Sequence, residues 1–218
     1  MRIAVVGNSG SGKTTLAKRL EAELGLPRTE LDQINWQAGW RDLNTDNPAE
    51  FVHRTEAALA GEAWVCDGNY GKVRDLVWTR ATDLVWLDYE RSVIMPQLFK
   101  RSLMRALDQK ELWPGTGNRE RFTSWIQKDH PLRYSWDHWA RRRREYSERV
   151  AEPRFAHLRV HRLRHPREID VMVSALKPLP LEGGGVWGGG GDLSGKDAVV
   201  EAPPPPSPTL PPTRGKGG

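Results

Sequence analysis

With 218 residues and a formal net charge of +5, the chain is long enough for one domain with a sizeable core and leaves room for an appendage. Its single cysteine excludes an intrachain disulfide and fits a reducing compartment, and no apolar run approaches the ~20 residues that cross a bilayer. The chain opens on a core strand, with no export leader ahead of it, so a soluble, cytoplasmic monomer or dimer without a membrane partner is expected.

Ile3-Ala4-Val5-Val6 is an apolar, β-branched run that predicts a buried strand. Gly7-Asn8-Ser9-Gly10-Ser11-Gly12-Lys13-Thr14 follows at once and fits G-x-x-x-x-G-K-[ST]. Residues 14–24 predict a helix, with Leu16, Leu20 and Leu24 on one face and Gly25 as the stop. After Pro27 comes a short strand, Arg28 to Leu31, ending at Asp32, and then an irregular stretch from Gln33 to Asn47. Pro48, with Asn47 as N-cap, opens a helix over 48–60. Trp64-Val65-Cys66-Asp67 predicts a second buried strand and residues 72–79 a short helix. Leu84-Val85-Trp86-Leu87-Asp88 reads as a third such strand, and residues 91–109 as an amphipathic helix whose start Pro96 kinks. A Pro/Gly loop covers 110–118, helices are predicted over 119–130 and 136–151, and His157 to Leu163 alternates as a last strand. Pro166 opens a final helix to about Leu176. From residue 180 onward, glycine and proline runs predict a disordered tail.

Strands alternating with helices predict an α/β fold with a mostly parallel sheet, whose ligands bind at the carboxyl ends of the strands. The glycine-rich loop, Asp32, Asp67 and Asp88 all fall at those ends. The loop's glycines let backbone amides surround a phosphate, the following helix adds partial positive charge, Lys13 reaches the β- and γ-phosphates, and the Thr14 hydroxyl ligates Mg²⁺. Residues Gly7 to Thr15 are therefore the expected ATP site. Asp67 and Asp88 each end an apolar strand, so each is a candidate for the magnesium carboxylate. Asp32 is placed to orient or deprotonate an acceptor hydroxyl, and Trp36 to line the acceptor pocket.

Residues 1–96 carry 11 Lys/Arg against 14 Asp/Glu, whereas 97–165 carry 17 against 8. That later segment should face an anion, either nucleotide phosphates or nucleic acid. Arg101, Arg105 and the run Arg141 to Arg144 are candidates to stabilise a transferred phosphoryl group. Phosphoryl transfer needs such positioning and charge neutralisation more than covalent chemistry.

Several stretches together resemble one family. They are the phosphate loop, Leu31-Asp32-Gln33-Ile34-Asn35-Trp36, Asp67-Gly68-Asn69-Tyr70, Val85-Trp86-Leu87-Asp88-Tyr89, and Arg162-Leu163-Arg164-His165-Pro166-Arg167-Glu168. They are similar to the DNA topology modulation proteins, an adenylate-kinase-like P-loop group, over residues 1 to about 177. The resemblance implies a three-layer α/β/α P-loop nucleoside triphosphate hydrolase fold with a five-stranded parallel sheet of order 2-3-1-4-5. It further implies a kinase-like domain over 1–179 with a basic lid at about 97–150. It favours Asp67 over Asp88 for Mg²⁺, places Arg164 and Pro166 near the adenine, and sets the acceptor after the second strand. Where adenylate kinases have an acceptor-binding arginine after Asp-Gly, this chain has Asn69-Tyr70, which leaves Arg74 or Arg80 to take that part. The expected function is transfer of the ATP γ-phosphate to an unidentified small-molecule acceptor, with nucleotides among the candidates. A DNA-associated ATPase or DNA-binding protein and an ATP sensor without turnover are the alternatives.

Overall fold

The computed structural model describes residues 1–122, 125 and 130–177. The predicted tail lies outside them, as does half of the predicted helix 119–130, whose described residues are not α-helical.

The strands are β1 (Arg2–Gly7), β2 (Arg28–Glu30), β3 (Trp36–Gln37), β4 (Arg41–Asp42), β5 (Trp64–Asp67), β6 (Asp83–Leu87) and β7 (Arg159–Leu163). The α-helices are α1 (Lys13–Leu24), α2 (Leu31–Asn35), α3 (Leu43–Asp46), α4 (Pro48–Ala58), α5 (Gly71–Arg80), α6 (Arg91–Asp108), α7 (Pro131–Val150) and α8 (Ile169–Leu176). Five strands form one parallel sheet in the order β2-β5-β1-β6-β7. Counting only these five strands along the chain, that order is 2-3-1-4-5, as expected from the resemblance.

Both faces of the sheet are covered at its centre, which is why β1, β5 and β6 are largely apolar and buried, whereas the edge strands β2 and β7 carry polar residues. Along β1, Ala4 and Val6 pack with Cys66, Leu84 and Trp86 against α4 and α5. Ile3 and Val5 turn to the other face, with Val65, Val85 and Leu87, and meet α1 and α8. The period of two thus assigns each residue of the central strand to one of two cores.

Three expectations need correction. Asp32 does not end a strand: β2 stops at Glu30, and Asp32 lies in the first turn of α2. The stretch Gln33–Asn47 is not irregular, since it holds α2, α3 and a short antiparallel ribbon of β3 and β4. These pieces are too brief to show a period, and the ribbon turns through Gly39 and Trp40 at positive φ. Helix α7 begins five residues early, because Pro131 occupies its first turn and the His130 ring accepts from the Leu132 N–H. Pro96 falls inside α6, within the helix expected around it.

Candidate active site

The phosphate loop joins β1 to α1 in the left-handed conformations that its glycines permit, with Gly10 at φ 84° and Gly12 at φ 91°. Gly10 also has no room for a side chain, since a Cβ there would stand 2.7 Å from the Leu98 Cβ of α6. Helix α6 therefore rests directly on the loop. The Ser11 hydroxyl is buried without a hydrogen-bond partner, and α1 starts at Lys13 with no side-chain cap on its amino end. A backbone cradle, unsatisfied donors and a helix N-terminus together fit a polyphosphate. Lys13 Nζ folds back to donate to the Asn8 carbonyl at 3.0 Å. Burial lowers its ammonium to about 8, opposed by Asp32 and Asp67 and reinforced by Arg142 and Arg101. All four of those groups are thus within electrostatic reach of Lys13.

The two strand-terminal carboxylates have different surroundings. The Thr14 hydroxyl donates to Asp67 Oδ2 at 2.6 Å, while Asp67 Oδ1 is buried without a hydrogen bond among the described residues and pairs with Arg28 Nη1 at 3.8 Å. Burial pushes the Asp67 carboxyl up to about 6, with the Thr14 hydrogen bond and Lys13 pulling down and Glu30 and Asp32 pushing up. Asp88 instead accepts from Arg143 Nε and from both Arg162 Nε, at 2.8 Å, and Arg162 Nη2, at 2.6 Å. An orphaned carboxylate oxygen beside a hydroxyl fits Mg²⁺, a hard cation that takes few protein oxygens and completes its shell with phosphate and water. Among the described residues no group of three or more His, Cys, Asp or Glu is placed to hold a metal.

Of the predicted cations, Arg101 reaches the loop, with Nη2 3.5 Å from the Ser9 hydroxyl. Burial lowers its guanidinium to about 10, with Arg105 adding to the shift. Arg105 itself is half-exposed and faces Glu120 at 4.0 Å rather than the loop. The arginine run divides across α7: Arg142 and Arg143 are partly buried, while Arg141 and Arg144 are exposed. Helix α7 also touches the loop through Ser135, whose carbonyl accepts from Asn8 Nδ2 and whose hydroxyl donates to the Ser9 carbonyl.

On the side of β2, the Tyr70 hydroxyl donates to Asp32 Oδ1 at 2.8 Å. Trp36 stacks on Trp113, 6.2 Å between centroids, and meets Trp40 edge-on. Arg74 does not stand open to an acceptor, since it is paired with Glu145 and lies over the Tyr146 ring. Arg80 closes α5 at its far end and bonds the Ala60 carbonyl, away from the loop. Arg164 and Pro166 follow β7 at the carboxyl edge of the sheet, where the Arg164 N–H is held by Glu168. Three participants have little signature in the sequence. Asn69 and Tyr70 stand out there only as part of a motif, and Ser135 carries no signal at all.

No protein-family profile and no curated protein sequence matches this chain. Solved structures with a similar course include shikimate kinase from Bacteroides thetaiotaomicron, 19% identical over 81% of this chain and 96% of that one, TM-score 0.46. A gluconokinase from Sinorhizobium meliloti is 17% identical over 80% and 92%, TM-score 0.43. Deoxyadenosine kinase from M. mycoides is 12% identical over 81% and 98%, TM-score 0.45. Likeness this distant leaves the functional reading to the residues themselves.

Proposed function

We propose that the protein is an ATP-dependent phosphotransferase that uses Mg²⁺ and acts on a small hydroxyl-bearing acceptor. The observation that supports this most is convergence on one point: Lys13 lies within electrostatic reach of Asp67, Asp32, Arg101 and Arg142. Donor-side cations, a metal carboxylate and a candidate base thus surround the mouth of a phosphate loop.

On this reading the loop amides and Lys13 hold the β- and γ-phosphates. Thr14 and Asp67 would hold Mg²⁺, which would supply charge neutralisation. Arg101 and Arg142 face the charge that spreads over the transferred group. The acceptor oxygen forms the new P–O bond, the bond to the oxygen that leaves with ADP breaks, and the hydroxyl proton passes to Asp32. Arg164 and Pro166 would flank the adenine. The acceptor is a hydroxyl compound rather than a monophosphate, because Arg74 is already neutralised by Glu145 and Arg80 points elsewhere.

A phosphotransfer screen with labelled ATP against nucleosides, nucleoside monophosphates, sugars and hydroxy acids tests the proposal. Labelled product from a hydroxyl compound is expected, and none from Lys13→Ala. A Lys13→Ala protein that transfers normally would overturn it. The nucleic-acid reading is weakened by the division of the arginine run, which offers a DNA backbone two exposed arginines instead of four. A gel shift that disappears steeply with salt would restore it.

A further inference from the structure

The turn Asp67-Gly68-Asn69-Tyr70 does more than carry a metal carboxylate. Each of its four residues makes a distinct contact with a different part of the site. Asp67 accepts from Thr14. Gly68, at φ 149°, lies so close to α2 that a Cβ would stand 2.6 Å from the Leu31 Cβ, so only glycine lets the residue before Asp32 pack there. The Asn69 amide pairs with both polar atoms of Gly7: Oδ1 accepts from the Gly7 N–H at 3.4 Å, and Nδ2 donates to the Gly7 carbonyl. Tyr70 donates to Asp32 and packs edge-on against Phe51.

We propose that Asn69 and Tyr70 are positioning residues for the two halves of the transfer, Asn69 for the donor loop and Tyr70 for the acceptor base. Gly7 is where β1 becomes the phosphate loop, and a side-chain amide bonded to both its N–H and its carbonyl ties down the two peptides that flank it, those between residues 6 and 7 and between 7 and 8. The next six residues, Asn8 to Lys13, deliver the amides and the lysine, so a rotation at Gly7 would move them all. On the other half, burial and the neighbouring carboxylate push the Tyr70 phenol far up, so it stays an O–H donor at any working pH. It occupies Asp32 Oδ1 permanently and leaves Oδ2 to accept from a second hydroxyl. The carboxylate is thereby held in one orientation, the requirement for a base that must meet its proton within hydrogen-bond reach. Because one turn carries both contacts, loop and base are kept in register.

The proposal rests on the phosphotransferase reading, and two substitutions separate the two. Asn69→Ala should weaken binding of magnesium with a non-hydrolysable ATP analogue about tenfold by calorimetry and leave KM for the acceptor unchanged. Tyr70→Phe keeps the ring against Phe51 and removes only the hydroxyl. It should lower kcat about 10- to 100-fold with the panel compound that the wild type phosphorylates, with the affinity for the analogue unchanged. Crossed effects of this kind are not produced by loss of fold, and thermal unfolding of both variants provides the control. The proposal is overturned if the two variants shift nucleotide affinity and kcat alike, or if neither shifts either. A wild type that binds the analogue but phosphorylates no panel compound overturns the Tyr70 half together with the kinase reading. The Asn69 half is then decided by calorimetry alone, and a wild type that does not bind the analogue overturns that half too.

Discussion

Asp67 and Asp88 flank the central strand symmetrically. One ends β5 and the other follows β6, each strand pairs with β1, and both carboxylates are buried. Their neighbours break the symmetry. Asp88 is saturated by two arginines and joins α7 to β7, whereas Asp67 has a hydroxyl on one oxygen and, among the described residues, no hydrogen bond on the other, which faces Arg28 Nη1 at 3.8 Å. A carboxylate whose partners are all protein holds the fold together. One left short of partners beside a phosphate cradle is available to a cation.

Substitution can test that contrast directly. Asp67→Ala and Lys13→Ala should each lower kcat/KM by about 10²-fold or more, about 3 kcal/mol of transition-state stabilisation, while Asp88→Asn should keep transfer within a few-fold. Equal losses at Asp67 and Asp88 in initial-rate assays would erase the distinction. In stability the order reverses. Asp88→Ala leaves Arg143 and Arg162 without their shared carboxylate and should cost about 2 kcal/mol, a figure reduced because both arginines are partly exposed. A lower denaturation midpoint at an unchanged slope would show it.

Asp67→Asn should instead stabilise the nucleotide-free protein. The carboxyl is raised from its ordinary 3.8 to about 6, so the folded state favours the protonated form. Ionisation therefore costs stability above about pH 6, and the cost fades as pH falls towards 4. The asparagine variant should gain on the order of 1–3 kcal/mol at pH 8 and nothing at pH 4. A pH-independent difference between the two melting curves would refute the assignment. The smallest effect belongs to Arg80→Ala, expected to leave kinetics unchanged and stability within about 0.5 kcal/mol.

Much of this is legible in the sequence because it is local. The loop, the strand before it and the helix after it are contiguous patterns, and the sheet order follows from motifs spaced along the chain. What stays hidden depends on distant partners. Nothing near Arg74 announces that Glu145 neutralises it, and nothing near Asn8 points to a residue 127 positions away. Asp32 stands out in the sequence but at the end of a strand, because Arg28 to Leu31 has a strand's composition and the turn into α2 is set by Leu31 packing on Gly68. The helix cap at His130 is hidden for a different reason, since a ring nitrogen is an unusual N-cap acceptor.

The indole cluster of Trp36, Trp40 and Trp113 has a practical consequence. It fastens the β3–β4 ribbon to the segment after α6, where Asn118 also bonds the Trp40 N–H and the Gln37 carbonyl. Closely stacked chromophores couple their transitions, so the near-ultraviolet circular dichroism of the protein should carry a signal from this junction. Trp40 is the most exposed of the three, and its emission should respond when a ligand covers it. The molecule thus contains its own optical probe beside the proposed acceptor pocket, one that needs no label and responds whether or not the titrated compound turns over.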